Sequence, residues 1–302
     1  MQKTIKQHYI PRFYMKNFYI KNTEKFDVLD KENHYAPISQ NKNENFKNLL
    51  YVENLYENCN EHTNYIETEI LAKGYEDIMK KKLENVINKI NNRNVLSIDD
   101  KEFLRILSLQ MSIRNSYGVK AIEEKFNDVN NRETFFKYLF SNDIGSQEKR
   151  KIVNKMLGHF DIIIFTSQKS SFILPDCFSI KLLTNTSKNT YSKEIDVLNF
   201  VDIYPLTKDI LICINNNKNE VVKVDKLFIE LSSQEVLNIN KLMMCHSDRY
   251  CIGDLSRYKS SIHNDLNNVK VYEEKFLEIL EEYKIIKWHK KIIEQFQTKS
   301  NK

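Results

Sequence analysis

Glycine and proline are scarce in this chain, and their scarcity restricts how it can fold more than any other feature. Only 5 Gly and 4 Pro occur among the 302 residues, so long loop-rich stretches and flexible linkers are not expected. The same scarcity excludes the Gly-rich loops with which P-loop and dinucleotide-binding proteins hold phosphates. Hydrophobic residues make up 41% of the chain and charged residues 29%, which is the balance of an ordinary globular protein.

The spacing of the apolar residues changes along the first third of the chain. Residues 1–50 contain short apolar pieces, such as 26–30, separated by turn-forming residues, which indicates short strands joined by loops. From 61 to 90, isoleucines and leucines recur near the helical period with Lys and Glu between them, which predicts one long amphipathic helix. Ser97, followed three residues later by an acid, is typical of a helix start and predicts a second helix ending near Gly118.

Short β-branched runs dominate the sequence after residue 160. The runs 161–166 and 171–174 are separated by a polar turn, and we expect them to form a pair of strands. Further strands are predicted at 203–206, 210–214 and 221–224, and further helices at 233–244, with 248 as the alternative end, and at 272–296. Strands and helices thus follow one another in blocks, which is the order of an α+β fold.

We therefore expect one α+β domain over residues 1–302. It should have a small N-terminal strand region, a central helical region, an antiparallel sheet and C-terminal helices.

Charge and cysteine content restrict the partners and the compartment. The net charge of +5 comes from interspersed Lys, Glu and Asp, so it permits a nucleic-acid or nucleotide partner without requiring one. The five cysteines are an odd number and contain no C-x-x-C pair, which predicts reduced thiols in the cytoplasm. No run approaches the roughly 18 apolar residues that a membrane-spanning helix needs, and the N-terminus lacks the apolar core of a signal peptide. We expect no membrane association.

One N-terminal motif resembles a known family. The string at 7–18, Gln-His-Tyr-Ile-Pro-Arg-Phe-Tyr-Met-Lys-Asn-Phe, is similar to the opening of the bacterial family called domain of unknown function 4238. That family begins with a His-Tyr-Val-Pro-like segment that runs into Tyr-Leu-x-x-Phe. Similar matches follow in the same order at 65–67, 74–76, Gln110-x-x-x-Arg114, 204–206 and Asn238-x-Asn240, so the resemblance covers residues 7–255.

The middle signature of that family is only partly present here. The family pattern has an aromatic residue, a pair of small residues and then Ser-Asp-Asn-Pro, and its counterpart in this chain is 172–178. Asp176 matches the acid of the pattern, whereas the Ser, the Asn and the following Pro are replaced.

His8 is the first candidate for catalysis. It precedes Pro11 on a stiffened, extended segment, and its imidazole can exchange a proton near neutral pH. A general acid or base could be built on it. The competing interpretation is a buried hydrogen-bonding post that ties the N-terminal strand to the rest of the protein.

Gln110 and Arg114 are the second candidates. They lie four residues apart and so project from one helix face, where a half-buried guanidinium requires a phosphate or a carboxylate. The structural interpretation is a salt bridge from Arg114 to Glu67 or Glu76 on the preceding helix. Convergence of these acids with His8 would create a site for an anion, or for a divalent metal such as Mg²⁺ that activates water.

Asp176 completes the predicted catalytic set of His8, Arg114 and Asp176. A loop carboxylate after a strand could orient His8 or bind a metal, although Asp after Pro is also a common turn former. Gln110, Arg12 and Tyr14 are assigned to substrate binding. For Tyr14 and Phe18, four residues apart, packing in the core is the competing interpretation.

Two functions from different classes follow. The first is a hydrolase or nuclease-like enzyme that acts on a phosphoester, with a role in defence or toxicity. The alternative is a non-enzymatic interaction module whose polar residues form a buried network, or a nucleic-acid-binding protein without chemistry. Exposure of His8 separates the enzyme from the interaction module, because catalysis needs a cleft that reaches His8 whereas a structural network can be closed to solvent.

Overall fold

The computed structural model describes residues 6–32, 34–41, 49–53, 75–114, 118, 124, 140, 160–186, 198–216, 228–258 and 266–286. Helices and sheets occupy separate parts of the chain, and the predicted α+β class is confirmed. The strands are β1 Lys6–His8, β2 Lys25–Asp30, β3 His34–Asn41, β4 Tyr51–Glu53, β5 Asp161–Thr166, β6 Leu174–Pro175, β7 Ile180–Thr186, β8 Leu198–Thr207, β9 Ile210–Asn215, β10 Phe228–Glu230 and β11 Tyr250–Gly253. The helices are α1 Arg12–Met15, α2 Asp77–Asn91, α3 Ile98–Arg114, α4 Ser233–His246 and α5 Val269–Glu282, and short 3₁₀ turns follow at Lys16–Phe18 and Ser256–Tyr258.

The central sheet has five strands in the order β10-β5-β9-β8-β7. Its pairs are antiparallel except β10 with β5, which is parallel. Ile162 and Ile164 of β5 belong to one hydrophobic core, whereas Ile163 and Phe165 belong to another. Since side chains alternate along a strand, this sheet is covered on both faces, which explains why β5 and β9 read as continuous apolar runs.

Different helices cover the two faces of this sheet. The first core combines α2, α3 and the N-terminal segment with Ile162, Ile164 and Ile212 from the sheet. The second core combines α4 and α5 with Ile163 and Leu211. Helix α2 provides Met79, Leu83, Val86 and Ile90 as its buried stripe. Leu83 and Ile90 were expected on it, whereas Ile78, which was also expected there, is exposed. The site described below lies on the α2–α3 side.

A second sheet has the order β3-β2-β11-β6 and is antiparallel throughout. The expected pairing of 171–174 with 161–166 is wrong, because both edges of β5 are occupied by β9 and β10. The backbone of the 171–174 run is instead bound by Asn240 of α4, whose side chain accepts from the Ile173 N–H at 3.2 Å and donates to the Ser171 carbonyl at 2.8 Å. Only Leu174 and Pro175 form a strand, and it pairs with β11.

The other strand and helix predictions differ from the structure mainly at their ends. The strands expected at 26–30, 161–166, 203–206 and 210–214 are present, and helix α4 ends at His246, near the expected end. The predicted start of the first long helix at 61 and the strand at 221–224 lie outside the described residues.

Helix α5 ends well before the predicted residue 296. It stops at Glu282, and Lys284 takes a left-handed φ of 57°. The Ile285 N–H then bonds to the Leu280 carbonyl at 2.8 Å, which is the helix-ending arrangement normally marked by glycine. Ile285 and Ile286 are buried beyond the helix. Because they are apolar, they extend the helical pattern of the sequence past Glu282, where the helix ends.

The predicted helix start at Ser97 is confirmed in atomic detail. The Asp100 N–H donates to the Ser97 hydroxyl at 3.2 Å, and the Ser97 N–H donates back to the Asp100 carboxylate at 2.9 Å. This reciprocal pair is a capping box with Asp in the place of Glu. Lys89 of α2 contacts the same carboxylate at 2.7 Å, so the cap also joins α2 to α3.

Replacing Ser97 by Ala should destabilise the protein by about 1 kcal/mol, because the first turn of α3 loses its side-chain acceptor. Ser97→Thr keeps the hydroxyl and serves as the matched control. Urea unfolding followed by circular dichroism measures both variants. An unchanged unfolding midpoint for Ser97→Ala would show that the cap contributes nothing.

The same cap predicts a dependence of stability on pH. Burial acts to raise the pKa of Asp100, but hydrogen bonds from Lys89 and Ser97 outweigh it, and the pKa of Asp100 is lowered. A carboxyl whose folded-state pKa is lowered stabilises the protein above its unfolded pKa, about 4, and loses that contribution as the pH falls through the folded pKa. The stability difference between wild type and Asp100→Asn should therefore shrink below about pH 4 in acid-titrated urea unfolding. A difference that stays constant with pH would contradict this assignment.

Candidate functional site

His8 lies at the end of a short strand that holds the N-terminal segment in place. Strand β1 pairs with β4 so that His8 faces Tyr51, and the two ring centroids are 6.2 Å apart. The next residue continues the contact, because the Tyr9 N–H donates to the Leu50 carbonyl at 3.1 Å. Only 7% of the surface of His8 is exposed. The histidine is therefore fixed through its backbone as well as through its ring.

Arg114 binds this segment from the last turn of α3. Its Nη2 atom donates to the carbonyl oxygen of His8 at 3.1 Å and to Oε1 of Glu76 at 2.8 Å. The guanidinium side chain is fully buried, whereas the side chain of Glu76 is 25% exposed. One guanidinium thus joins β1, the end of α3 and the residue that precedes α2. The salt bridge to Glu76 is the structural interpretation that the sequence offered for Arg114.

Gln110 lies one turn before Arg114 and has its own partner. The hydroxyl of Tyr75 donates to Oε1 of Gln110, and Tyr75 is fully buried with its ring against Phe140 at a centroid distance of 5.0 Å. Burial raises the pKa of Tyr75 well above its ordinary value, so its hydroxyl keeps its proton and remains a donor. Gln110 and Arg114 therefore face the same pair of residues, Tyr75 and Glu76, at the start of α2.

Tyr14 lies in the hydrophobic core. Its hydroxyl donates to the Pro205 carbonyl at 2.7 Å, and its ring lies 5.1 Å from that of Phe178 and 6.0 Å from that of Phe18. Both Tyr14 and Phe18 are fully buried, as their helical spacing indicated. Arg12 is exposed on the same short helix, so these two residues assigned to substrate binding lie in different environments.

Asp176 is engaged by a neighbouring loop. Its Oδ1 accepts the backbone N–H of Asp248 at 2.8 Å, and its Oδ2 accepts those of Arg249 and Tyr250 at 2.7 and 2.8 Å. Burial raises the pKa of Asp176, and the three N–H donors act in the opposite direction. The carboxylate thereby fixes the chain that leads from α4 into β11. Its described hydrogen bonds go to this loop and not to the ring of His8.

The structure brings together part of the predicted set. His8, Arg114, Glu76 and Gln110 form one connected group with Tyr75, which we call the α3 cluster. Asp176 binds a separate loop, and Glu67 lies outside the described residues. Within the described part of the chain there is no group of three or more His, Cys, Asp or Glu side chains that could hold a metal ion.

Two polar features of this side of the protein were missed by the sequence analysis. Tyr75 belongs to the 74–76 motif, but nothing in the motif indicated that its hydroxyl binds Gln110. Asp202 lies in the middle of the apolar strand β8, and its Oδ2 accepts the Ser108 hydroxyl at 2.5 Å. A carboxylate flanked by Val201 and Ile203 was a signal that could have been used, since an acid in a buried strand requires a partner.

The fold and the α3 cluster define a class of α+β protein in which an N-terminal His-Tyr-x-Pro segment is bound to a buried arginine. The family described as "Protein of unknown function (DUF4238)" matches residues 6–256, and the chain belongs to that family. Among the curated proteins and the solved structures, the comparisons find no match. In the described residues, no helix combines the length and the apolar character needed to cross a membrane.

Replacing the buried Asp176 by Asn should destabilise the protein by about 2 to 3 kcal/mol, because one carbonyl oxygen cannot accept three N–H donors and the new amide group faces them. Asp254→Asn is the matched control. Asp254 also accepts from a loop N–H, that of Ser256 at 3.2 Å, but this bond is exposed, so a loss below about 1 kcal/mol is expected. Urea unfolding at pH 7 measures both. Equal losses would contradict the role given to Asp176.

Proposed function

We propose that the protein is a non-enzymatic interaction module and that the α3 cluster is the polar network that specifies its fold. The observation that carries this proposal is the complete burial of Arg114, with its described bonds made to Glu76 and to the His8 carbonyl. The guanidinium side chain has no exposed surface, so a phosphate could reach it only if the surrounding side chains moved. The network is therefore better suited to holding three chain segments together than to receiving a substrate.

The burial of His8 supports the same proposal. A general acid or base must come within hydrogen-bonding distance of its substrate, or reach it through one water. His8 is 7% exposed, and the group that it offers to Arg114 is its backbone carbonyl. Every amino acid has that carbonyl, so the bond to Arg114 needs the position of the segment and not the imidazole. The ring itself packs beside Tyr51.

Energetics explain why such a network would be retained. A buried ion pair costs desolvation free energy that its attraction only partly offsets, but removing one partner leaves a buried charge and costs about 3 to 5 kcal/mol. Arrangements in which Arg114, Glu76 and β1 do not meet are therefore less stable than the observed one. We assign the binding of a partner to other surfaces of the protein, and the α3 cluster keeps those surfaces in place.

The proposal includes a cytoplasmic location. Its support is the state of the cysteines, because Cys177, Cys213, Cys245 and Cys251 are all free thiols. Disulfides are rare in the reducing cytoplasm and common in secreted proteins. A nucleic acid or nucleotide remains among the partners to be tested.

A phosphoester hydrolase is the second candidate, and one observation favours it. Glu76, with a quarter of its side chain exposed, lies beside Arg114 and so places a carboxylate and a guanidinium next to the segment that carries His8. A divalent metal such as Mg²⁺ held by Glu76 could activate water there. The other acid predicted to bind it, Glu67, lies outside the described residues. In this candidate the role is one in defence or toxicity.

Wild type, His8→Ala and Arg114→Ala should be compared for cleavage of DNA, RNA and nucleotides with Mg²⁺, Mn²⁺ or a chelator. Arg12→Ala is the matched control, since Arg12 is exposed in the same motif. We expect no cleavage by the wild type. We also expect the melting temperature of Arg114→Ala to fall by several degrees, because Glu76 loses its buried partner, and that of Arg12→Ala to stay unchanged.

One result would replace this proposal by the hydrolase. That result is metal-dependent cleavage by the wild type that is lost in His8→Ala at an unchanged melting temperature. Binding of the same nucleic acids without cleavage, measured by fluorescence anisotropy over a range of salt concentrations, would instead identify the partner of the module.

A further inference from the structure

A cavity beside α4 is lined mainly by cations and hydroxyl groups. Three segments form its walls, namely the loop 169–171 after β5, the first two turns of α4 and the segment 254–258 after β11. Its volume is about 70 Å³. Since a water-sized group needs roughly 10 to 15 Å³, the cavity holds about five to seven such groups. A phosphate group, with five heavy atoms, is of that size.

Hydrogen bonds connect the three walls to one another. The side-chain amide of Asn240 in α4 donates to the Ser171 carbonyl and to the Tyr258 hydroxyl, both at 2.8 Å, and Asn240 is fully buried. Nη1 of Arg257 donates to the Ser170 hydroxyl at 3.0 Å, which joins the first and the third wall a second time. The cavity is therefore preformed, as binding sites for small ligands usually are.

The charge of the lining favours an anion. Two cations, Lys169 and Arg257, line the cavity with one acid, Asp254. Within the described residues neither cation forms an ion pair, and the guanidinium of Arg257 binds Ser170 and not Asp254. The Asp254 carboxylate instead accepts from the N–H and the hydroxyl of Ser256 at 3.2 and 2.6 Å. The lining thus carries a net positive charge that its own acid does not pair with.

Hydrogen-bond donors are available on all three walls. Ser170 accepts from Arg257, so its own hydroxyl proton can go to a ligand, and the guanidinium of Arg257 has further N–H groups. In the part of the chain that the structure describes, the hydroxyls of Ser171 and Ser233 make no hydrogen bond. Donors from three directions suit a tetrahedral anion better than a carboxylate, whose two oxygens lie in one plane.

We propose that this cavity, which we call the Arg257 cavity, binds a terminal phosphate group. Such a group carries a charge of about −1.5 to −2 at neutral pH and three strong acceptor oxygens, which matches two cations and donors on three walls. A phosphodiester has one charge and two free oxygens. Inorganic phosphate and a small phosphate monoester share this chemistry. The cavity is separate from the α3 cluster and does not depend on the function proposed above.

The test compares methyl phosphate with dimethyl phosphate by isothermal titration calorimetry on the full chain, at neutral pH and equal ionic strength. Methyl phosphate should bind saturably. Dimethyl phosphate should bind at least about tenfold more weakly, because it has lost one charge and one free oxygen. Inorganic phosphate distinguishes the two sources. Tighter binding of methyl phosphate identifies a monoester as the ligand, and tighter binding of inorganic phosphate identifies the free anion, so either order supports the site.

Four variants locate the binding in the cavity. Arg257→Gln and Lys169→Gln should each weaken the binding of methyl phosphate by about fivefold or more. Lys181→Gln is the matched control, because Lys181 is equally exposed but lies on β7, outside the cavity, and its affinity should be unchanged. Asp254→Asn should strengthen the binding severalfold, because a like charge beside the phosphate is removed.

Three results would overturn the proposal. The first is equal binding of methyl and dimethyl phosphate. The second is an equal loss of affinity in Lys181→Gln and Arg257→Gln, which would show attraction to the positive surface in general. The third is the absence of saturable binding in both wild type and Asp254→Asn. Melting temperatures close to that of the wild type confirm that the variants are folded, and a gain of affinity in Asp254→Asn cannot arise from misfolding.

Discussion

The contact of Arg114 with Glu76 and with the His8 carbonyl is the interaction on which the arrangement of the α3 side depends. It fixes three pieces of chain that are distant in sequence, namely β1, the start of α2 and the end of α3. Helix α3 is already fixed at its other end by the Ser97–Asp100 cap, which Lys89 of α2 also contacts. Helices α2 and α3 are therefore joined by charged contacts at both ends of their interface, with the apolar stripe of α2 between them.

The central sheet imposes a second constraint, because both of its faces are covered. A strand buried on two sides can carry a charge only where a partner is built for it. Asp202 has such a partner in Ser108, whose hydroxyl donates to its Oδ2 at 2.5 Å. Asp27 of the second sheet is a comparison within the same protein, since it is buried and accepts the backbone N–H of Leu255 at 3.1 Å. The two acids differ in the kind of donor, which is a side-chain hydroxyl for Asp202 and a backbone N–H for Asp27.

The sequence predicted the elements well and their connections poorly, for physical reasons that particular residues illustrate. Strand β5 and helix α3 were found because their apolar spacing and the Ser97 cap are local signals. The pairing of 171–174 was wrong because β9 and β10 occupy both edges of β5. The backbone of that run is bound instead by Asn240, on a helix some 70 residues later. The end of α5 was missed because Lys284 adopts a conformation for which glycine is the usual signal. For the candidate site, spacing predicted that Arg114 would meet an acid of the preceding helix. The bond from Arg114 to the His8 carbonyl could not be predicted, because every residue has a backbone carbonyl and the side-chain pattern does not show which one is bound.

Asp176 shows how a family motif can mark a scaffold. This chain keeps the acid of the middle signature while replacing the Ser, Asn and Pro around it. Its two oxygens accept three consecutive backbone N–H groups from the loop between α4 and β11. Asparagine has one acceptor oxygen and cannot accept them all without a clash of its amide group, and Ser is too short to reach all three. The acid is thus required by the geometry of the loop, whatever the neighbouring residues are. The same argument applies to Arg114, whose guanidinium binds both the His8 carbonyl and the Glu76 carboxylate. In this chain, both motif residues thus bind backbone groups from distant parts of the sequence, Asp176 three N–H groups of one loop and Arg114 the carbonyl of His8.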